Sequence, residues 1–127
     1  MKRKILCWSF AFITASSFAE TPIPISTSLA SGDYTIFSND ATILEDVDKP
    51  LIIVEGFDFS ENVNGGDIFR KFNNTDNLLL ATKLRALGYD IIVLNWAQSA
   101  ITIESNADLL IELITQINTK KLQVANN

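Results

Sequence analysis

Two runs of consecutive aliphatic residues dominate the hydrophobic pattern of the chain, at residues 51–54 and 91–94. Neither run alternates with polar residues. An unbroken apolar run of this length, bounded by Gly, Pro or charged residues, is typical of a strand that is covered on both faces in a parallel sheet. The pattern therefore predicts two buried strands, over residues 51–55 and 91–95.

Between these strands the apolar residues follow the spacing of a helix. A short helical or irregular stretch is expected from Asp67, and residues 73–76 are suited to cap a helix that ends at Leu87, with Gly88 as its C-terminal cap. A strand, a helix and a second strand joined by short loops form a βαβ unit with parallel strands. The expected buried face of the helix consists of Leu79, Leu80, Leu84, Ala86 and Leu87.

A second helix is predicted after the strand at 91–95. Residues 105–108 resemble a capping box, and Lys120 and Lys121 suit a helix C-terminus. The expected buried face consists of Leu110, Ile111, Ile114 and Ile117. The chain is thus predicted to belong to the α/β class, as a βαβα unit.

One or two short strands precede this unit. Residues 33–38 have the β-branched and aromatic composition of a strand, and residues 41–44 could form a weaker one. Residues 20–32 are rich in Pro, Ser and Thr, which favours an extended linker. The domain is therefore expected to occupy residues 33–127.

The first nineteen residues have the layout of a secretory signal peptide. A basic head at residues 2–4 precedes an apolar run, and Ser17 and Ala19 stand where a signal peptidase requires small residues. The uncharged stretch 5–19 is shorter than the roughly 20 residues of a membrane-spanning helix. We therefore predict cleavage after Ala19 and export of a soluble chain to the periplasm or the medium, rather than a membrane anchor.

The composition of the remaining chain excludes several function classes. Three of the ten basic residues precede residue 20, so seven face fifteen acids, a net charge of 7 − 15 = −8. Nucleic acid would be repelled by this charge. The chain contains no histidine, and its one cysteine, Cys7, lies within the predicted signal. No metal site and no cofactor is therefore expected.

Three segments of this chain together resemble the amino-terminal portion of exported bacterial α/β-hydrolase-fold proteins of the lipase and esterase type. They are residues 49–58, residues 87–96, and residues 106–110 with Ile114 and Asn118. The similarity spans roughly residues 49–121. It implies a partial hydrolase-like parallel sheet, and it places the catalytic serine on a turn beyond Asn127.

In such folds the loop after the first strong strand lends backbone N–H groups to the oxyanion hole, and Gly56 and Phe57 are the matching positions. Many lipases have His-Gly there, whereas this chain has Glu55-Gly56. Gly56 could equally end its strand in a tight turn. Asp58 and Trp96 are candidate cleft residues, although Asp58 could instead cap its loop and Trp96 could belong to the core.

No complete catalytic constellation is present in the sequence. Ser60, Ser99 and Ser105 all lie outside a Gly-x-Ser-x-Gly turn, and no histidine can serve as the base. The first hypothesis is an inactive fragment of an exported hydrolase that acts on esters or acyl groups. The alternative is a small non-catalytic periplasmic binding module, with strand addition by a partner or self-association at an open sheet edge. An unrelated small α/β fold, such as a flavodoxin-like half, ranks last because no phosphate-binding Gly-rich loop is present.

Overall fold

A computed structural model describes residues 21–39, 47–54, 56 and 63–124, with side chains up to residue 121. Four strands and three α-helices follow one another along these residues. They are β1 (Ile23–Ser26), β2 (Ser31–Phe37), β3 (Pro50–Val54), α1 (Gly65–Asn73), α2 (Leu80–Ala86), β4 (Asp90–Trp96) and α3 (Ile103–Val124), with one 3₁₀ turn at Thr75–Asn77 before α2.

The four strands form one mixed sheet in the order β1-β2-β4-β3. β3 and β4 are parallel, with Ile52 opposite Ile92, which confirms the predicted βαβ unit. β2 runs antiparallel to both β1 and β4. The α/β class is therefore confirmed, and the sheet of the described residues is mixed rather than parallel throughout, because the first two strands form a hairpin that enters the sheet in the opposite direction.

The segment predicted as a linker contains β1. Ile25 of this strand is 4% exposed, and Ala30 in the following turn is 9% exposed. The backbone N–H of Thr27 donates to the Ala30 carbonyl at 2.8 Å, which closes the hairpin to β2. Part of residues 20–32 is thus packed structure and not a linker. The weaker strand predicted at 41–44 lies outside the described residues.

β4 is the central strand of the core, and side chains cover it on both faces. Ile92 and Leu94 pack in one cluster with Leu109 and Leu113 of α3. Ile91 and Val93 pack in a second cluster that includes Ala81 of α2 and residues of α1. All four residues 91–94 are fully buried, as the unbroken aliphatic run predicts. The helices therefore form a layer on each side of the sheet.

β3 differs from β4 in spite of its similar sequence. Leu51, Ile52 and Ile53 are only half-buried, and Val54 is 39% exposed. Both faces are covered, with Ile52 against the α3 cluster and Leu51 and Ile53 against the α1–α2 cluster. No strand pairs with the outer side of β3 among the described residues. The predicted cover on both faces is thus present, but the residues are only half-buried because an edge strand lacks one neighbour.

The helix predicted to run to Leu87 is broken by left-handed backbone at Asp76, Asn77 and Leu79. Its second half, α2, buries Ala81, whereas Leu79 and Leu87 are 50% and 68% exposed. The predicted capping role of residues 73–76 is met in part, since the Asn73 side chain accepts from the Thr82 N–H at 2.9 Å. Gly88 has φ +85° and its N–H donates to the Arg85 carbonyl at 2.9 Å, which fits the predicted C-cap.

α1 begins at Gly65, two residues before the predicted start. Asn64 and Asp67 form a capping box at this end. The first residue of the helix is a glycine because the sheet lies too close to it for a side chain. A Cβ at Gly65 would lie 2.9 Å from the Thr35 hydroxyl oxygen. Pattern analysis assigns such a Gly-Gly pair to a loop, because the close approach to β2 is not visible in the sequence.

α3 also begins earlier than predicted. The Thr102 hydroxyl accepts from the Ser105 N–H at 3.3 Å, so Thr102, and not Ser105, caps this end. Leu109, Leu113 and Ile117 are buried, whereas Ile111 and Ile114 are 60% and 41% exposed, which corrects the predicted face. Although α3 has 22 residues, no helix within the described ranges is long and apolar enough to cross a membrane.

Tyr34 of β2 connects the sheet to α3 in the buried core. Its hydroxyl donates to the Gln116 side-chain carbonyl at 3.3 Å, and burial raises the pKa of Tyr34 above its usual value. The folded chain therefore holds this proton to a higher pH than the unfolded chain does. The contribution to stability is complete below about pH 10 and is lost as pH rises through the folded-state pKa.

We therefore expect the free energy of unfolding to fall above about pH 10. Tyr34→Phe loses one hydrogen bond, worth about 1 kcal/mol at neutral pH, but its stability should decline less between about pH 10 and 12. Urea unfolding followed by circular dichroism across this range compares the two chains. Equal alkaline slopes for both would contradict the assignment to Tyr34.

Candidate functional site

The carboxyl ends of β3 and β4 lie side by side, because the two strands are parallel and in register from Pro50 opposite Asp90 to Val54 opposite Leu94. Ligands of open α/β sheets bind at this edge, where loops leave the strands. Gly56 follows β3, and Trp96 ends β4. We define this region, with the loop that follows β4, as the carboxyl edge of the sheet.

Gly56 is exposed and its conformation does not require a glycine. Its φ lies outside the left-handed region, and a Cβ built there would meet no atom of the described residues within 4 Å. Gly32 and Gly65, by contrast, would clash with neighbouring atoms if they carried a Cβ. The tight-turn explanation of Gly56 therefore has no support in the backbone, and there is open space in front of it.

Two other predicted site residues cannot be placed beside Gly56. Phe57, the second oxyanion position, and Asp58, the cleft candidate, lie outside the described residues. These roles stay predictions.

Trp96 belongs to the core as much as to the edge. It is half-buried, packs against the α3-side cluster and pairs with Gly32 of β2 in the sheet. The following N–H, that of Ala97, donates to the Ser31 carbonyl at 2.9 Å. Trp96 is therefore fixed where β4 pairs with β2. Gly56 follows β3, which is the neighbour of β4 on its other side.

Asn95 and Asn106 are polar residues at this edge that pattern analysis did not select. The Asn95 amide donates to the Asp33 carboxylate at 3.1 Å, and the Asn106 amide donates to the Ser99 carbonyl at 3.1 Å. The side-chain carbonyl oxygens of both asparagines are buried, and no described residue donates to them. Two unpaired acceptors, one near the end of β4 and one in the first turn of α3, favour a donor supplied by a bound molecule or by further chain. For Asn95, its position directly after an aliphatic run was the available signal.

An open pocket of about 270 Å³ lies at the same edge, between the β1–β2 turn and the loop after β4. Gln98 and Ile101 line one side, and Thr27 and Ser31 are on the other. Its wall is mostly polar, and Thr27 is already occupied with the N–H groups of Leu29 and Ala30. Gln98, which the sequence places after the second strand, is the lining side chain best suited to contact a ligand.

Basic side chains are absent from the described part of the carboxyl edge. Lys49 and Arg85 lie at the other end of the sheet, where they donate to the Leu87 and Ser38 carbonyls at 3.3 and 2.8 Å. The other basic residues of the described chain lie in or near the last turns of the helices, at Arg70, Lys71, Lys83, Lys120 and Lys121. Because Asp33 and Glu104 flank this edge, it favours an uncharged ligand over an anion.

The serines of this region have structural partners. The Ser105 hydroxyl lies 2.9 Å from that of Thr102 at the start of α3, and Ser99 is 6% exposed. Within the ranges that the structure describes, no three His, Cys, Asp or Glu residues come together as metal ligands. Comparison with protein families, curated proteins and solved structures gives no match for the chain. Function has therefore to be argued from the carboxyl edge itself.

Proposed function

We propose that this chain supplies the amino-terminal part of an exported serine-hydrolase-type domain that acts on esters or acyl groups. The carboxyl edge of the sheet would hold the reacting carbonyl, and backbone N–H groups after β3 would stabilise the oxyanion. Such donors act best when they are fixed before the reaction and shielded from water. The resemblance of residues 49–58 and 87–96 to lipase-type proteins motivates the proposal.

The observation that supports it most is the position of β3. A hydrolase of this type needs its nucleophile on the strand that follows α3, and that strand must lie beside β3 so that the serine faces the oxyanion loop. In the described sheet, β3 is an edge strand and its outer side is unpaired. An outer side of β3 that no described strand covers is what the proposal requires.

Gly56 adds a second, independent argument. Neither a positive φ nor a close contact requires a glycine at this position, yet a Cβ there would project into the open space at the strand end. A residue without a Cβ permits the backbone to approach a bound carbonyl closely. The absence of basic side chains at this edge, within the described part, suits a neutral ester better than a phosphate or carboxylate substrate.

We infer that the 127-residue chain has no acyl-transfer activity of its own. The sequence contains no histidine that could take the proton from a serine, and no Gly-x-Ser-x-Gly turn. An oxyanion hole alone leaves the nucleophile unactivated. Purified chain should therefore hydrolyse p-nitrophenyl acetate and butyrate no faster than the buffer does, and turnover that a fluorophosphonate abolishes would contradict this.

The coding sequence downstream of codon 127 provides the decisive experiment. We expect one of its reading frames to encode an apolar strand followed by Gly-x-Ser-x-Gly, and the chain joined to that segment and its continuation should hydrolyse short esters. In the joined protein, Gly56→Val should lower kcat about 100-fold by blocking the oxyanion site, while its unfolding midpoint stays unchanged. The matched control Gly66→Val lies on α1 and should keep kcat. An unrelated downstream sequence would rule out the proposal.

A non-catalytic periplasmic module is the second candidate function. The observation that favours it is the outer side of β3, with which no described strand pairs, together with the lack of a histidine within residues 1–127. An extended segment of a partner could add to this strand through main-chain hydrogen bonds. Downstream sequence without a Gly-x-Ser-x-Gly turn, together with a stable stoichiometric partner in a periplasmic extract, would favour this function over the hydrolase.

A further inference from the structure

We propose that Asn64 is a site of spontaneous deamidation, and that the cap it forms at the start of α1 keeps this reaction slow in the folded chain. Asn64-Gly65 is the only Asn-Gly pair among the 127 residues, and the residues that follow the other asparagines all carry a Cβ. The inference goes beyond the proposed function and does not depend on it, because it concerns only Asn64 and its neighbours in α1 and β2.

The reaction needs no partner other than water. The backbone nitrogen of Gly65 loses its proton and attacks the side-chain carbonyl carbon of Asn64, and the side-chain nitrogen leaves as ammonia. The product is a five-membered succinimide ring. Water then opens this ring at one of its two carbonyl carbons, which gives either aspartate or isoaspartate, whose main chain runs through the side chain. A glycine after the asparagine favours the attack because no Cβ crowds the attacking nitrogen.

Packing and capping account for both residues of this pair. Gly65 is buried in the first turn of α1, and a Cβ there would lie 2.9 Å from the Thr35 hydroxyl oxygen, so a larger residue would clash. The Asn64 side chain accepts from the Asp67 N–H at 3.0 Å, and the Asn64 N–H donates to the Asp67 carboxylate at 3.4 Å. Asparagine is one of the few residue types suited to this cap. The reactive pair is therefore a consequence of how α1 begins on the sheet.

The same cap controls the rate of the reaction. For the attack, the Gly65 nitrogen has to eclipse the Asn64 Cβ about the Cα–C bond of Asn64. At the observed ψ of 166° this nitrogen is gauche to Cβ instead. Rotation to the eclipsed arrangement would separate the capping side chain from the Asp67 N–H and shift Gly65 against Thr35. Deamidation therefore proceeds through local opening of the first turn of α1, at the rate of the unfolded chain multiplied by the opened fraction.

The two products differ in their effect on α1. Aspartate at residue 64 keeps a capping oxygen and adds a negative charge at the helix N-terminus, which is favourable. Isoaspartate adds one carbon atom to the main chain before Gly65, so the cap and the contact of Gly65 with Thr35 cannot both be kept. Because Gly65 lies against Thr35 and Val93, this change falls close to the carboxyl edge of the sheet.

Mass spectrometry of the full chain tests the site and its protection. One sample, shown by circular dichroism to be folded, and one in concentrated urea are incubated in the same mildly alkaline buffer. Residue 64 should gain one mass unit in both, at least about fivefold more slowly in the folded sample, the factor that corresponds to a typical helix cap. Hydroxylamine, which cleaves a chain at a succinimide, should give a fragment that ends at residue 64. Equal rates in the two samples, or no modification of residue 64 in urea, would overturn the proposal.

Asp67→Ala separates the effect of the cap from that of the Asn-Gly sequence. It removes the acceptor of the Asn64 N–H, so it should raise the folded rate about threefold and leave the rate in urea unchanged. Asp108→Ala, at an exposed position of α3, is the matched control for the lost charge and should change neither rate. Asn64→Ser keeps a capping oxygen without an amide and should show neither the mass gain nor the cleavage. A folded rate of Asp67→Ala equal to that of the parent, or cleavage of Asn64→Ser, would overturn the proposal.

Discussion

Gly32→Ala should lower the free energy of unfolding by about 3 kcal/mol, because the new methyl group has no room. Gly32 pairs with Trp96 across β2 and β4. A Cβ at this position would lie 2.3 Å from the Asn95 carbonyl oxygen and 3.3 Å from a Leu109 methyl carbon. The carbonyl belongs to the backbone of the central strand, so it cannot move aside without breaking the hydrogen bonds between β2 and β4.

Gly56→Ala is the matched control for this substitution. No atom of the described residues lies within 4 Å of its built Cβ, so the free energy of unfolding of this variant should stay within about 0.5 kcal/mol of the parent, or rise slightly because alanine restricts the unfolded chain. Urea titration followed by circular dichroism at 222 nm separates the two variants by about 2 M in midpoint, for a slope of about 1.5 kcal/mol/M. Similar midpoints would contradict the packing described at Gly32.

Asp90→Ala should destabilise the chain by about 4 kcal/mol, which in a domain of this size leaves little or no cooperative unfolding. The Asp90 carboxylate is fully buried at the start of β4. One oxygen accepts from the Ser38 hydroxyl at 3.2 Å and the Asn39 N–H at 3.0 Å. The other accepts from the N–H groups of Asp48 and Lys49 at 3.2 and 3.4 Å.

The large effect follows from the hydrogen-bond donors that would lose the Asp90 carboxylate as their acceptor. Alanine would remove the acceptor that joins three separate segments at this point, and a donor that loses its acceptor while shielded from water costs about 1–3 kcal/mol. Asp90→Asn keeps the shape but turns an N–H₂ group toward two of the donors, so about half of the loss is expected. Asp108→Ala, at an exposed position of α3, controls for removal of one negative charge. If Asp90→Ala unfolded at the same urea concentration as Asp108→Ala, Asp90 would not connect the segments as described.

The sequence predicted the elements whose signal is local. The two aliphatic runs became β3 and β4, parallel as expected, and Gly88 ends α2 with the positive φ that glycine permits. The sequence did not predict which residues are buried where burial depends on neighbours distant in the chain. Ile111 and Ile114 have the same chemistry as Ile117, but only Ile117 faces the sheet, because the packing angle of α3 selects one of two adjacent apolar stripes.

The candidate site divides in the same way. Gly56 and Trp96 follow their strands, as the aliphatic runs imply, so the sequence located the edge of the sheet. The sequence could not separate Trp96, which packs into the core, from Gly56, which faces open space. Nor could it indicate Asn95 and Asn106, whose unpaired oxygens depend on which groups the fold brings within hydrogen-bond reach.

The sequence by itself determined the α/β class, the parallel pair of strands, the charge, and the lack of a histidine for triad chemistry, since these depend on composition and short-range pattern. Only the tertiary structure decided that residues 23–26 join the sheet, that β2 enters it antiparallel, and that β4 rather than β3 lies at its centre. Two nearly identical aliphatic runs acquire different roles because β4 has strands on both sides, whereas β3 has one. Strand order is set by contacts between distant segments, and the carboxyl edge of the sheet owes its position to it.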